Sequence, residues 1–258
     1  MAVARPPSAV SLFLSLVGAS VGACTPKTPV DEHAHTLAAA AGPSVEYTSM
    51  APLDAYLMDR DAEVALARSA APPAISGDAT ILVLTRQGYR TAFEGKDGFV
   101  CFVDRSWSSP FEDPEFWNPK KRGPTCLNAA AARSALPVIS KLTELALSGL
   151  SKDAILARIK ESIAKKEFGP PEIGAMSYMM SKSQYLSDSG PHWHPHLMFY
   201  MPGEMNGSAW GANLPAGSAV FGGGADLPGG GRMPWTIFFV PVSKWSDGTP
   251  YEDHAAAK

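Results

Sequence analysis

Two blocks of strand-like sequence enclose one block of helix-like sequence, and this order constrains the fold more than any other feature of the chain. Strand-like runs occupy 79–104 and again 175–242, whereas 134–168 carries two amphipathic helical patterns. Blocks of strands, helices and strands favour helices that pack together against a sheet. We therefore predict a single α+β domain, with antiparallel strands in a mixed sheet and a helical hairpin on one side.

The strand-like runs are short and are bounded by turn residues. Thr80–Thr85 is rich in β-branched and apolar residues, Gly88 marks a turn, and Tyr89–Phe93 continues as a second strand. Lys96–Gly98 is typical of a hairpin turn before a third strand at Phe99–Val103. We expect these three strands to form a meander. The second block predicts four further strands, at 175–181, 194–201, 219–221 and 235–242.

Helical patterns lie before and between the strand blocks. The first covers 54–70. In the middle block, Pro137 lies in the first turn of a helix that ends at Gly149, and Ser151 begins another that ends near Gly169. The last helix repeats an isoleucine every four residues, which gives it an apolar face for the sheet. These isoleucines are Ile155, Ile159 and Ile163.

The segment 107–126 has no apolar period and is rich in proline and aromatic residues. Such a composition favours an ordered loop over a helix or strand. We expect Trp107, Phe116 and Trp117 to anchor this loop in the core. The basic run 120–122 within it is interpreted as a solvated turn.

Composition restricts the class of protein. The chain has 258 residues, of which 45% are hydrophobic and 18% are charged, which is enough apolar sequence for a buried core. Its net charge is −3. Because this charge leaves no basic surplus to neutralise a phosphate backbone, we expect no nucleic-acid partner.

The N-terminus is typical of an export signal. Arg5 supplies a positive charge, Val10–Ala19 is a short apolar run, and Val21–Ala23 supplies small residues before a cleavage point. An apolar run of about ten residues is too short to cross a bilayer, which takes about 20. Because the sequence up to Cys24 also resembles a bacterial lipobox, we expect Cys24 to carry a lipid and to tether the protein to a membrane. Secretion without lipid, after cleavage at Ala23, is the alternative.

These features divide the chain into four parts. Residues 1–23 are the signal peptide, and 24–50 form a lipid-anchored or flexible linker rich in Pro, Ala and Thr. Residues 51–248 form the domain, and 249–258 form a flexible tail. The expected location is therefore extracytoplasmic, in the periplasm or at the cell surface.

The two remaining cysteines fit that location. An oxidising compartment favours a disulfide between Cys101 and Cys126. In the loop-entropy model such a bridge would stabilise the fold by about 3–4 kcal/mol. Two buried thiols or a reactive pair are the alternatives.

The histidine-rich stretch 192–196 (HWHPH) is the one motif that could carry chemistry. In an extended chain alternate side chains share a side, so His192, His194 and His196 would line one face. Neighbouring imidazoles of this kind can converge on a transition metal, and Glu204 is among the nearest carboxylates in sequence. We predict a metal site formed by these four residues, in which zinc could activate a water for hydrolysis. The opposite face, expected to face the core, carries Trp193, Leu197, Phe199 and Met201.

Methionines accumulate around the histidines. Six of the ten methionines lie between 176 and 205. Imidazole with thioether is a ligand set that favours copper, so zinc and copper are both candidate metals. The alternative is that these methionines pack in the core, where their flexible side chains fill irregular spaces.

A second hypothesis is a noncatalytic cell-envelope module that binds a glycan, a lipid or a protein through exposed aromatic side chains. It predicts that the histidines form hydrogen bonds within the protein. No catalytic residue follows from the sequence, since the GxSxG motif of serine hydrolases, the HExxH motif of metalloproteases and the P-loop are missing from it. The aromatic surface would consist of Trp107, Trp117, Trp193, Tyr200 and Trp210.

Five segments resemble those of exported bacterial proteins that have no assigned function. The similarity spans about 54–248 and implies a bacterial, extracytoplasmic protein, but it brings no activity, catalytic residue or fold. The segments are GFVCFVDRSW (98–107), DPEFWNPKKRGPTC (113–126), GAMSYMMSK (174–182), HWHPHLMFY (192–200) and WGANLP (210–215).

Overall fold

An eight-stranded mixed sheet with five helices forms the body of the protein, as a computed structural model shows, and this confirms the predicted α+β class. The structure describes residues 45–188, 194–214, 217–223 and 226–252. The predicted signal peptide, Cys24 with most of the linker, and His192 and Trp193 lie outside these residues.

The strands follow the order β2-β1-β3-β4-β5-β6-β8-β7 across the sheet. Neighbouring strands are antiparallel except β1 and β3, which run parallel. In chain order the strands are β1 (Thr80–Thr85), β2 (Gly88–Phe93), β3 (Val100–Asp104), β4 (Gly123–Leu127), β5 (Met176–Met179), β6 (His196–Pro202), β7 (Phe221–Gly223) and β8 (Trp235–Pro241).

The helices begin at capping residues that the sequence supplies. The Asp59 side chain caps the first helix, which starts later than predicted because the chain before it forms a short 3₁₀ turn at Leu53–Ala55. Pro137 in the first turn of one helix and the Ser151 cap of the next confirm the helical hairpin. The helices are α1 (Arg60–Arg68), α2 (Pro73–Ser76), α3 (Ala129–Ser134), α4 (Leu136–Leu147) and α5 (Lys152–Ala164). Within the described residues, no helix has the length and apolar composition needed to cross a bilayer.

Helices cover both faces of the sheet. On one face, Phe102 and Leu127 belong to the same buried cluster as side chains of α4 and α5. On the other face, Cys101 and Cys126 pack with Ala67 of α1 and the alanines that follow it. Burial of each large apolar side chain stabilises the fold by roughly 1.5–3 kcal/mol. The helical hairpin therefore lies on one side, as predicted, and α1 adds a second, smaller layer on the other.

The predicted meander is wrong in its last step. Strand β2 forms a hairpin with β1, but β3 lies on the opposite side of β1, where Thr80 pairs in parallel with Val100. Strand β3 is buried on both faces, whereas Arg90 and Thr91 of β2 are exposed. An apolar strand such as β3 is more stable inside a sheet than at its edge. The turn residues 96–98 therefore lead into a crossover, and not into a hairpin.

The predicted loop 107–126 ends in a strand that the sequence analysis missed. All five residues of β4 are buried, between β3 and β5. Its Gly123–Pro124 start resembles a turn, which concealed the strand. The aromatic anchors of the loop are confirmed, because Trp107, Phe116 and Trp117 are all buried.

Candidate functional site at the histidine end of the sheet

Several strands begin or finish together at one end of the sheet. Strand β3 ends with Asp104, opposite the first residue of β4, and β5 ends with Met179, opposite His196 at the start of β6. The last residue of β8, Pro241, also pairs with His196. We call this end, where β3, β5 and β8 finish and β4 and β6 begin, the histidine end.

His196 is an interior side chain. It is 3% exposed, and its ring lies 5.6 Å from the ring of Phe239. Its Nδ1 lies 2.8 Å from the carbonyl oxygen of His194, within hydrogen-bonding distance. Burial lowers the pKa of the His196 imidazole, and the contact with the His194 carbonyl partly opposes that shift. The ring is thus favoured in its neutral form and is fixed against the backbone of His194.

The two faces of β6 are the reverse of those predicted. His196, Met198 and Tyr200 are buried, whereas Leu197 and Phe199 are only partly buried. The first face lies against the same helices as Phe102 and Leu127, because aligned residues of neighbouring strands point to one side. The buried hydroxyl of Tyr200 has a polar partner on this face, since it lies 3.2 Å from Oγ of Ser177. Both faces of the strand carry large apolar residues, so alternation alone could not select the inner one.

His194 lies just before β6 and contacts a residue that the sequence analysis missed. Its Nε2 lies 3.3 Å from the hydroxyl oxygen of Tyr251, and the two rings are 4.1 Å apart. Tyr251 also packs edge-on against Trp245, and its N–H donates to the carbonyl of Ser243.

Tyr251 falls in the predicted flexible tail, which is why it was overlooked. The chain up to it is held by a turn, in which the Asp247 carboxylate accepts hydrogen bonds from Thr249. The sequence Asp247–Gly248 is typical of such a turn and was the available signal. Residues 249–251 thus form specific contacts with the chain before them.

Glu204 lies far from His194 and His196 along the sheet. His196 and Pro202 mark opposite ends of β6, about 20 Å apart at the usual rise per residue, and Glu204 follows Pro202. Its carboxylate pairs instead with Arg232, at 2.9 Å. In the structure Glu204 is therefore separated from His194 and His196 by the length of β6.

The predicted ligand set is thus only partly assembled in the described residues. His194 lies beside Tyr251, His196 lies in the interior, and the position of His192 falls outside the described residues. Within the described part of the chain, no three His, Cys, Asp or Glu side chains are placed to hold one metal ion.

A polar cluster around Asp188 lies at the same end of the molecule. The carboxylate of Asp188 accepts hydrogen bonds from Lys120, Tyr185, Tyr47 and Asn118, at 2.6–3.0 Å. Burial of the carboxylate acts in the opposite direction, but these donors together lower the pKa of Asp188 well below its usual value. The Asp188 carboxylate therefore connects four side chains through its hydrogen bonds.

Glu115 completes the cluster from the long loop. Its carboxylate accepts hydrogen bonds from the backbone N–H of Asp188, from the Ser187 hydroxyl and from the Asn118 amide. Lys121 forms an ion pair with Asp113 at 2.6 Å, and its side chain is only 8% exposed. The prediction of a solvated basic turn is therefore wrong for Lys121. The cluster fixes the long loop against the segment that ends at Asp188.

The proposed aromatic surface is largely part of the core. Trp107, Trp117 and Tyr200 are buried, and Trp193 falls outside the described residues. Trp210 alone of the five is shown to be exposed, at 43%, where it stacks on Phe238 with the ring centres 4.9 Å apart. The aromatic-surface hypothesis is therefore wrong for the three buried residues.

Comparison of the chain with protein-family models, with curated proteins and with solved structures gives no match.

Proposed function

We propose that the protein is exported and lipid-anchored, and that its domain binds a transition-metal ion through His194 and Tyr251. The observation that carries this proposal is the 3.3 Å distance between Nε2 of His194 and the Tyr251 hydroxyl oxygen. Two ligand atoms of a tetrahedral ion with bonds of about 2.0 Å are separated by about 3.3 Å. A bound cation also favours the ionised form of a coordinating hydroxyl. Zinc and copper are the candidate ions.

The surroundings of His194 support this proposal. The ring of His196 contacts the His194 carbonyl and so restrains the backbone that carries the ligand. Contacts that fix the orientation of a ligating histidine contribute to metal affinity. His192 remains the third ligand expected from the sequence, since it precedes His194 by two residues.

The disulfide supports export. Cys101 and Cys126 are bonded in the structure, which confirms the predicted pairing. Disulfides persist in oxidising compartments and are rare in the cytosol. Together with the N-terminal signal and the lipobox at Cys24, this favours an extracytoplasmic protein held at a membrane.

Titration of the full mature chain with Zn²⁺ and with Cu²⁺, followed by calorimetry, tests the metal site. We expect His194→Ala to abolish high-affinity binding and Tyr251→Phe to weaken it at least about tenfold. The phenylalanine keeps the ring that packs on His194 and Trp245, so only the hydroxyl is removed.

Glu204→Gln serves as the matched control, because this carboxylate pairs with Arg232 at the far end of β6. We expect the control to bind metal as the wild type does. Unchanged affinity in both His194→Ala and Tyr251→Phe would exclude the proposed site.

A second candidate function is a noncatalytic module that binds a component of the cell envelope. Trp210 and Leu214, both more than 40% exposed, favour it, since exposed aromatic and apolar side chains are common in binding surfaces. If this function holds, Trp210→Ala should reduce retention on isolated cell envelopes while metal affinity stays unchanged.

A further inference from the structure

Asp104 ends β3 and lies partly buried at the histidine end of the sheet. One carboxyl oxygen lies 2.8 Å from the Ser108 hydroxyl, and the other lies 3.2 Å from the hydroxyl of Thr125. The Thr125 oxygen also lies 3.1 Å from the carbonyl oxygen of Gly123. Thr125 itself is fully buried.

The protonation state of Asp104 determines how many hydrogen bonds can form among Asp104, Thr125 and the Gly123 carbonyl. A hydroxyl has a single proton, so Thr125 can donate to Asp104 or to the Gly123 carbonyl, but not fully to both. If the carboxyl of Asp104 is protonated, it donates to Thr125, and Thr125 donates to Gly123. Ser108 donates to the other carboxyl oxygen in either case. The neutral acid therefore completes a chain of hydrogen bonds that the carboxylate leaves incomplete.

The surroundings also disfavour a negative charge on Asp104. A side chain at Gly123 would meet Met179, Leu186 and Asp104 within 3.5 Å, so apolar groups crowd this position. The neighbouring cation, Arg105, is engaged in a buried ion pair with Glu63.

Within the described residues, two tyrosines of the sheet also interact electrostatically with Asp104. The hydroxyl of Tyr89 on β2 donates to the carbonyl of Val103, and Tyr200 on β6 contacts Ser177. Burial raises the pKa of both tyrosines, so they stay neutral. Burial also raises the pKa of Asp104 to about 6, against the opposing effects of its two hydroxyl donors and Arg105.

We propose that Asp104 is a proton-sensitive link between β3, β4 and the turn at Ser106–Ser108. In mildly acidic surroundings the neutral acid joins Ser108 to Thr125 while Thr125 donates to the Gly123 carbonyl, and at higher pH ionisation leaves the single Thr125 proton to be shared between Asp104 and Gly123, so one of these two hydrogen bonds is lost. If the protein is exported, as proposed above, this link is exposed to the pH outside the cytoplasm.

The direction of the effect follows from proton linkage. The folded-state pKa of about 6 is above the ordinary value of 3.8, so the folded protein binds this proton more tightly than the unfolded chain does. The stabilisation is complete below about pH 3.8 and is lost as pH rises through about 6. A shift of about two pKa units corresponds to about a 100-fold change in the folding equilibrium constant.

Denaturant unfolding of the full mature chain between pH 4 and 8, in the wild type and in Asp104→Asn, tests the proposal. The asparagine amide reproduces the neutral acid, because it can donate to Thr125 and accept from Ser108. We expect the folding equilibrium constant of the wild type, relative to that of the variant, to fall by up to about 100-fold as the pH rises from 4 to 8. Asp61→Asn, a change at an exposed carboxylate, should leave the wild-type profile unchanged.

Carbon-13 NMR of labelled aspartate carboxyls gives a second measurement on the folded protein. We expect one resonance to titrate near pH 6 in the wild type and to be missing in Asp104→Asn. A wild-type to variant ratio that is constant with pH, or titration of every aspartate below about pH 4.5, would overturn the proposal.

Discussion

Glu63 and Arg105 form an ion pair that is almost completely shielded from solvent. The guanidinium of Arg105 lies 2.9 Å from the Glu63 carboxylate, and the two side chains are at most 1% exposed. Arg105 also donates to the carbonyl of Tyr56, and Glu63 accepts from the backbone N–H of Leu84. The pair therefore connects α1, β1 and the residue that follows β3.

We predict that Arg105→Met lowers the free energy of unfolding by about 3–5 kcal/mol, because it leaves the Glu63 carboxylate buried without its cation. Urea unfolding followed by circular dichroism measures this loss. The double variant Glu63→Leu/Arg105→Met should be less destabilised than Arg105→Met alone, since no unpaired charge remains.

The exposed pair of Arg86 and Asp54 offers a matched control for Arg105→Met. Both of its side chains are more than half exposed, so Arg86→Met should change the free energy of unfolding by less than about 1 kcal/mol. Equal effects of the two arginine substitutions would contradict the importance of the buried pair.

At the scale of elements, the disulfide joins the neighbouring interior strands β3 and β4. Cys101 and Cys126 are direct partners in the antiparallel register, and both are fully buried. The bridge closes a chain segment with a sequence separation of 25, which includes the long loop between these strands. It therefore restricts the conformations of the long loop in the unfolded chain.

We predict that Cys101→Ala/Cys126→Ala lowers the free energy of unfolding by about 3 kcal/mol, through the greater entropy of the unfolded chain. Chemical unfolding with and without reductant measures the effect. Reductant should destabilise the wild type by a similar amount and should leave the double variant unchanged. A wild type that is insensitive to reductant in the unfolding transition would argue against this contribution.

At the scale of the whole molecule, the lipobox that ends at Cys24 predicts attachment to a membrane through that residue. We predict that Cys24→Ser moves the protein from the membrane fraction to the soluble fraction of the producing cells, because the lipid acceptor is lost. Fractionation and mass spectrometry of the N-terminus measure this change. The domain cysteine variant Cys101→Ala/Cys126→Ala is the control and should stay with the membranes. Persistence of Cys24→Ser in the membrane fraction would contradict lipid anchoring at this residue.

Local sequence patterns were sufficient to predict several parts of the fold. Pro137 and Ser151 specified where two helices begin, and the apolar run Thr80–Thr85 specified a strand with the bounds that the structure has. The pairing of Cys101 with Cys126 followed from their number and from the expected compartment. Each of these features depends on neighbours in sequence or on composition, so one chain was enough to predict them.

Tertiary structure alone decided the order of the strands and the arrangement of the candidate site. A strand such as β6, apolar on both faces, gives no local preference for its inner face, so the placement of His196 depends on the helices that cover the sheet. The contact between His194 and Tyr251, 57 residues apart, and the separation of Glu204 from both depend on which strands pair. Pairing between distant segments is set by burial of the whole sheet, because the local pattern of each strand fits more than one neighbour.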